Sequence, residues 1–326
     1  MAVVALSGSP LLPKSGNLPM LISAPEAGMS LADATMEISM LAEQHLPLCG
    51  GLLMRGFDVG NINGFHTFAE SFGHPLLSYE FGSTPRSNVA KGVYTSTEYP
   101  AHQSIPLHSE QAYTLSWPMK IWFYCVTSAP NGGETPIADN RLVYRSISSS
   151  IRERLSRHGL MYVRNYGGGL DVAWQNVFNT QDRQVVERYC RENAIEFAWK
   201  EDGELRTWQR CQAVAQHPHT KEWVWFNQAH LFHVSNLQAE VREALLDIVE
   251  EQDLPRNVYY GDGSPIEDSL LEEVRGVLDQ SKVMFPWQSG DILMLDNMLA
   301  SHAREPFSGN RKVVVAMAEA FNATMP

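Results

Sequence analysis

The sequence predicts an α+β protein of one domain, residues 1–326, with a jelly-roll barrel core and with inserted and flanking helices. Short runs rich in β-branched and aromatic residues fall in the first and last thirds, and helical patterns lie between them. A doubly wound sheet is not expected, because strict strand–helix alternation and a glycine-rich phosphate loop are both missing. No linker or repeat divides the 326 residues, and residues 1–20 are expected to form a loose N-terminal arm.

The helices are predicted from apolar residues at helical spacing. The first runs from Leu31 to about His45, with Ser30 as N-cap and Gly50 at its end. Further helices are expected over residues 63–72, 142–158, 184–193, 238–252 and 267–279. The segment 238–252 carries Val241, Leu245, Leu246 and Val249 at helical spacing.

The strands are predicted from β-branched and aromatic runs bounded by turn residues. They cover residues 52–57, 93–97, 120–127, 161–164, 223–226, 290–295 and 312–317. The run 120–127 is apolar on both faces, which is typical of a strand in the middle of the core.

Composition narrows the function classes. The net charge of −12 argues against a nucleic-acid partner. No secretory signal is recognisable, and no apolar run approaches the length that crosses a bilayer. The four scattered cysteines have no Cys-x-x-Cys spacing, which favours free buried thiols in a reducing compartment. We therefore expect a cytoplasmic protein that does not act at a membrane.

The tripeptide His108-Ser109-Glu110 contains two candidate metal ligands. His108 and Glu110 are two residues apart, so on a strand both side chains would leave the same face. His302 follows the apolar run 292–295 and is expected at the exit of that strand. Two imidazoles and one carboxylate form the ligand set of non-haem Fe(II) oxygenases, which leaves positions open on the metal.

A second group of histidines competes with this set. It consists of His217, His219, His230 and His233. No carboxylate lies at a matching spacing, so we expect these residues to be structural or to line a substrate site.

The motifs resemble those of the TauD/TfdA family of Fe(II)- and 2-oxoglutarate-dependent oxygenases, within the clavaminate synthase-like superfamily. The resemblance runs from about Leu52 to Phe321 and is carried by residues 107–113, 132–139, 290–297 and 301–311. A closer resemblance, on residues 93–100 and 224–228, is to hydroxylases of peptide-antibiotic and siderophore pathways, including syringomycin-type aspartyl β-hydroxylases.

The resemblance implies a double-stranded β-helix (cupin-like) core with iron at one mouth of the barrel. His108, Glu110 and His302 match the family's iron ligands. Thr135 matches the threonine that contacts a 2-oxoglutarate carboxylate. Arg311 matches the arginine that pairs with the far carboxylate, and Arg304 is a second candidate.

The same resemblance implies oxidation of an unactivated C–H bond, with 2-oxoglutarate and O₂ as co-substrates. Related halogenases replace the carboxylate ligand with a small residue, so Glu110 disfavours halogenation. Hydroxylation is expected first, with desaturation and epoxidation as related outcomes.

The substrate is expected to be a small molecule, namely a polar amino acid or a derivative of one, free or tethered to a carrier protein. Arg164 and Arg206 would suit its carboxylate. The residues expected at the mouth are Tyr94, Glu98, Gln111, Arg164, Asn165, Arg206, Trp225 and Asn227.

Three other functions remain open from the sequence. One is catabolic oxidation of a small sulfonate or similar acid. The others are a cupin-like binding protein without turnover and a hydrolytic zinc enzyme. The sequence leaves the oligomeric state open.

Overall fold

The computed structural model describes residues 6–11, 18–78 and 86–323. Most of its elements are strands, and helices lie between them. The strands are β1 (Gly8–Pro10), β2 (Met20–Ser23), β3 (Gly51–Arg55), β4 (Asn88–Ala90), β5 (Val93–Thr95), β6 (Ile105–His108), β7 (Ser116–Thr127), β8 (Asn131–Gly132), β9 (Ile137–Asp139), β10 (Leu160–Tyr166), β11 (Glu196–Trp199), β12 (Leu205–Cys211), β13 (Val214–Gln216), β14 (Trp223–Trp225), β15 (Arg256–Tyr260), β16 (Ile292–Asp296), β17 (Ala300–Arg304), β18 (Phe307–Ser308) and β19 (Lys312–Asn322). The α-helices are α1 (Leu31–Cys49), α2 (Ile62–Glu70), α3 (Asn140–Ser146), α4 (Ser149–His158), α5 (Trp174–Val177), α6 (Arg183–Glu192), α7 (Ala229–Phe232), α8 (Ala239–Leu246) and α9 (Asp268–Gln280).

The largest sheet has eight strands in the order β1-β2-β3-β16-β7-β19-β5-β4. Its strand pairs are antiparallel, except that β2 and β3 run parallel. The long strands β7 and β19 pair along most of their length. The expected central strand 120–127 is therefore confirmed as part of β7, between β16 and β19.

A three-stranded sheet, β6-β17-β9, packs against one face of this large sheet. One buried cluster joins them: Phe123 and Val315 of the large sheet lie with Ile137 and Ala300 of the small one. The other face of the large sheet is covered by α1 and α2, through buried residues such as Ile38 and Phe65. The protein is thus of mixed α/β type, with two sheets around a common apolar layer.

A separate four-stranded sheet, β11-β12-β10-β15, is built from the middle of the chain. The inner face of β10 carries Leu160 and Tyr162, which pack in a buried cluster with Leu107 and Phe232. This inserted sheet is therefore anchored beside β6, the strand that ends at His108.

Two helix predictions need correction. The segment 142–158 forms two helices, because Ile147 is buried with extended backbone between α3 and α4. The segment 238–252 is helical only as α8, and none of its helical residues is buried. Val241 is 51% exposed and Ile248 is 73% exposed, so the apolar spacing of this segment does not mark a buried face.

The N-terminal arm is partly ordered against the large sheet. Within the described part of residues 1–20, β1 pairs with β2, while residues 1–5 and 12–17 lie outside the described residues. All four cysteines are free and buried, as expected. Among the described residues, no helix is both long and apolar enough to cross a membrane.

Candidate metal centre

His108 and His302 are cross-strand neighbours, although they are far apart in the sequence. His108 ends β6, His302 lies within β17, and the antiparallel register pairs them directly. Their ring centroids are 4.4 Å apart. The predicted position of His302, at the exit of the strand 292–295, is wrong. That strand ends as β16, and a turn leads into the separate strand β17 that carries the histidine.

Glu110 joins the two histidines from a turn. The strand β6 stops at His108, so Glu110 does not share a strand face with it as predicted. The turn brings its carboxylate back, and one ligand atom from each of the three residues lies within 4.8 Å of the others. Two nitrogens and one carboxylate oxygen at this spacing can hold a divalent transition metal.

The protonation states of both histidines suit a metal. Burial, opposed in part by the charge of Glu110, lowers the pKa of His108. Burial, followed by the charges of His108 and Arg86, lowers the pKa of His302 well below its usual range. Both imidazoles are therefore neutral near pH 7, which leaves a lone pair for a cation. His108 Nδ1 lies 2.8 Å from the Pro106 carbonyl, which assigns the proton to Nδ1 and the lone pair to Nε2.

Two other histidines, His217 and His230, form hydrogen bonds that hold the segments carrying the candidate metal ligands. His230 Nε2 lies 2.8 Å from the Leu107 carbonyl, and the Gln228 amide donates to the Ser109 carbonyl at 2.7 Å. His217 Nε2 lies 3.0 Å from Asp296, whose other oxygen accepts from the backbone of the turn between β16 and β17. Among the residues that the structure describes, the contacts of His217 and His230 are structural ones, with Asp296 and with the Leu107 carbonyl.

A cavity opens beside the histidines, and Thr135, Arg304 and Arg311 line it with Phe123. The Thr135 hydroxyl accepts a hydrogen bond of 3.0 Å from Trp287. Arg311 Nε donates to the Gly133 carbonyl at 2.9 Å, which leaves its two terminal nitrogens for other partners. Gly133 is required here, because it has φ +77° and a Cβ would lie 2.9 Å from Arg311 Cδ.

Arg304 and Arg311 differ in how many of their hydrogen-bond donors are already used within the protein. Arg304 donates from Nη1 to the Tyr99 carbonyl and from Nη2 to those of Pro100 and Gln103, at 2.8–2.9 Å. It therefore fastens the loop at residues 99–103. Burial, and next the charge of Arg304, lower the pKa of Arg311 to about 10, so Arg311 stays charged and a bound anion would stabilise it. The geometry favours Arg311 over Arg304 as an anion-binding residue.

The inserted sheet separates the two arginines expected to meet a substrate. Arg164 is opposite Thr207 in the register, and Arg206 is opposite Asn165, so they lie on opposite faces. The prediction that they form one site is wrong. The residue that does share a face with Arg164 is Arg256, its direct partner on β15.

Most other predicted substrate contacts lie in structural positions. The Asn165 amide donates to the Gln252 and Leu254 carbonyls, and the Asn227 amide donates to the Ala213 carbonyl. Tyr94 and Trp225 are buried in apolar clusters. These four side chains therefore serve packing or backbone hydrogen bonding.

Two predicted contacts lie nearer to the site. Glu98 accepts hydrogen bonds from the Ser87 and Thr95 hydroxyls, and the Ser87 bond is the main cause of its lowered pKa. Gln111, next to Glu110, has φ +56° and lines a second cavity of about 270 Å³ with Tyr113 and Gln209. This cavity is also lined by α6, and none of the candidate metal ligands borders it.

No sequence pattern marks two arginines, the buried Arg86 and the partly exposed Arg256. Arg86 contacts Glu110, and Arg256 lies opposite Arg164. Neither belongs to a recognisable motif, since each is defined by a partner that only the tertiary fold supplies. Strand pairing between 161–164 and 256–260 would have been the one usable signal for Arg256.

Comparison with protein families matches residues 14–317 to the family model described as taurine catabolism dioxygenase TauD, TfdA family. The match includes every candidate metal and co-substrate residue.

Individual relatives extend this likeness. The chain is 44% identical over 268 residues to the dapdiamide synthesis protein DdaC of Enterobacter agglomerans, which covers 82% of each protein. It is 30% identical over 323 residues to a clavaminate synthase-like protein of Arabidopsis thaliana, covering 93% of this chain and 94% of that one. PvcB of Pseudomonas aeruginosa shares the fold, with a TM-score of 0.56, 18% identity and coverage of 98% and 92%.

Proposed function

The chain belongs to the TauD/TfdA family of dioxygenases, and from this premise we propose that it is an Fe(II)- and 2-oxoglutarate-dependent oxygenase that hydroxylates an amino acid or amino-acid derivative. The meeting of His108, Glu110 and His302 within 4.8 Å carries the proposal. The similarity to a dapdiamide synthesis protein supports a place in specialised-metabolite biosynthesis. Desaturation or epoxidation of the same substrate class would use the same site.

We infer a jelly-roll, or double-stranded β-helix, core within a single domain. The apolar layer shared by the eight-stranded and three-stranded sheets supports it. The metal ligands lie on the three-stranded sheet and at its end, which corresponds to one mouth of such a barrel.

When bound, Fe(II) with 2-oxoglutarate and O₂ oxidises a C–H bond to an alcohol, and 2-oxoglutarate leaves as succinate and CO₂. The chain's own residues bind and orient the cation, the co-substrate and the substrate. His108, Glu110 and His302 would hold the cation through two imidazole nitrogens and one carboxylate oxygen. The Phe123 ring lies 4.8 Å from the His302 ring and lines the adjoining cavity.

We assign 2-oxoglutarate to Thr135 and Arg311. The two terminal nitrogens of Arg311 suit a carboxylate, which a guanidinium binds through two parallel hydrogen bonds. The Thr135 hydroxyl still has a proton to donate, because its oxygen accepts from Trp287. Arg304 holds the neighbouring loop and is not assigned to the co-substrate.

We assign substrate binding to the inner face of the inserted sheet, which is the face that carries Arg164. Arg164 and Arg256 are direct partners on adjacent antiparallel strands, an arrangement that like charges disfavour. Asp171 lies 3.7 Å from Arg256. Burial, and next the charge of Arg164, still lower the pKa of Arg256. A carboxylate on the substrate would stabilise both cations, and Gln209, on the same face of the sheet, lines a cavity with Gln111 and Tyr113.

The test is a substrate panel with anaerobically loaded Fe(II) protein. We expect O₂ uptake and succinate release to be triggered by carboxylate-bearing amino acids or their derivatives, with a product heavier by one oxygen. Carrier-tethered amino acids belong in the panel, because a tethered substrate is the alternative to a free one. Turnover with sulfonates alone would favour the catabolic function instead.

The predicted contacts of Arg164 and Arg256 with the substrate can be tested against Arg206 as a matched control. Arg164→Gln and Arg256→Gln should raise KM for the active substrate about tenfold or more, with kcat nearly unchanged. Arg206→Gln, on the opposite face of the same sheet, should change neither. Equal effects of all three changes would remove the inner face as the substrate site.

Two readouts separate the remaining functions. Wild-type protein with Fe(II) should show a weak visible charge-transfer band on anaerobic addition of 2-oxoglutarate, and His108→Ala should lose it. Absence of the band would favour a binding protein without turnover, and O₂-independent activity with zinc would favour hydrolysis. The four free buried cysteines support our proposal of a cytoplasmic location.

A further inference from the structure

Arg86 forms an ion pair with the carboxylate ligand of the metal site. Its Nη2 donates to Glu110 Oε2 at 2.6 Å, and the two side chains are only 3% and 7% exposed. A buried ion pair costs desolvation of both groups, so this one has to be supported by the surrounding fold. It also places a cation next to a site that would bind a second, divalent cation.

The location of Arg86 is fixed by more than this contact. It lines the same cavity as His108, His302 and Thr135. Its positive charge also lowers the pKa of His108 and that of His302, although burial is the larger cause in each case. The guanidinium is therefore close to all three candidate ligands.

The contact restricts how Glu110 can bind a metal. A carboxylate can bind through one oxygen or through both, and a second bound oxygen occupies a coordination position that a co-substrate needs. With Oε2 committed to Arg86, only Oε1 is available to a cation. A charge-assisted hydrogen bond of 2.6 Å is strong enough to hold this arrangement.

We propose that Arg86 is a positioning residue that keeps Glu110 as a single-oxygen ligand, at the cost of weaker metal binding, so that a position on the metal stays open for the co-substrate. This inference rests on the proposed function, since it assumes a metal at His108, Glu110 and His302. Arg86 itself contacts the carboxylate and not the metal.

The test uses Co²⁺ as a spectroscopic probe and needs no turnover. Arg86→Met should bind Co²⁺ about tenfold more tightly by calorimetry, because it loses the opposing charge and gains a second carboxylate oxygen. The visible Co²⁺ spectrum should change with coordination number, and 2-oxoglutarate should bind the Co²⁺ protein about tenfold more weakly. Arg86→Lys, which keeps one charged donor, should restore much of the wild-type behaviour.

Arg154→Met is the matched control, because Arg154 pairs with Glu267 at 2.7 Å on the exposed surface. It should leave the Co²⁺ affinity, the spectrum and 2-oxoglutarate binding unchanged. The inference is overturned if Arg86→Met leaves Co²⁺ affinity and spectrum unchanged, whatever its thermal stability. It is also overturned if the variant loses 2-oxoglutarate affinity alone, which would make Arg86 a direct co-substrate ligand. Failure of wild-type protein to bind Co²⁺ would instead reject the proposed function.

Discussion

Asn297 and Glu110 exchange two hydrogen bonds across 187 residues of sequence. The Glu110 backbone N–H donates to Asn297 Oδ1 at 2.7 Å, and Asn297 Nδ2 donates back to the Glu110 carbonyl at 2.9 Å. The same amide also donates to the Pro118 carbonyl at 2.9 Å. Asn297 begins the turn that leads into β17 and His302, so this one side chain ties the turn of Glu110 to the segment that carries the distal histidine.

Replacing Asn297 should therefore weaken metal binding without touching a ligand. Asn297→Ala leaves the Glu110 turn free to shift, and we expect Co²⁺ affinity to fall about 10- to 100-fold. Calorimetric titration of metal-free protein measures this directly. The matched control is Asn165→Ala, which removes another buried amide that donates to two carbonyls, but in the inserted sheet. It should lower thermal stability and leave Co²⁺ affinity unchanged, and an equal loss in both variants would contradict the positioning role of Asn297.

The metal site was predictable because its chemistry is concentrated in a short motif. His108 and Glu110 are two residues apart, and the segment around His302 has its own recognisable sequence. What the sequence could not supply was the way the residues meet. The prediction had two residues on one strand face, whereas the structure uses a cross-strand pair and a turn.

Contacts defined only by tertiary register escaped prediction for the same reason. Arg86 and Asn297 gain their roles from the turn that carries Glu110, and Arg256 gains its role from a strand partner, and sequence spacing carries no information about these contacts. The exposure of the segment 238–252 has a different origin. Helical periodicity marks a face that could be buried, but none of the residues of α8 is buried in the structure.

The two arginines near the cavity should respond differently to substitution. Arg311→Gln removes the two terminal guanidinium nitrogens, for which no other hydrogen bond is described, and we expect the 2-oxoglutarate dissociation constant to rise about 100-fold. Arg304→Gln frees the loop at residues 99–103 and should lower the melting temperature, with 2-oxoglutarate binding nearly unchanged. Titration of the anaerobic Fe(II) charge-transfer band measures both constants. A larger effect from Arg304→Gln would reverse the assignment.

His230 should make the protein sensitive to acid. It is buried, and burial favours the neutral ring in the folded state, although the hydrogen bond from its Nε2 to the Leu107 carbonyl opposes this effect. Burial, the largest cause, lowers its pKa from 6.5 to about 4. Because the folded pKa is the lower one, the unfolded chain gains a proton first as the pH falls. The stability that this neutral ring confers is complete above pH 6.5 and is lost as the pH falls toward 4.

The matched variant is His230→Gln, whose amide can donate to the same carbonyl but does not titrate. Between pH 7.5 and pH 5 the wild-type protein should lose about 2 kcal/mol more free energy of unfolding than the variant. Urea unfolding of metal-free protein, with a chelator present, measures both values. His108 and His302 also resist protonation when buried, but their contribution is common to both proteins and cancels in the difference. Equal losses in the two proteins would show that His230 is not the group that the acid titrates.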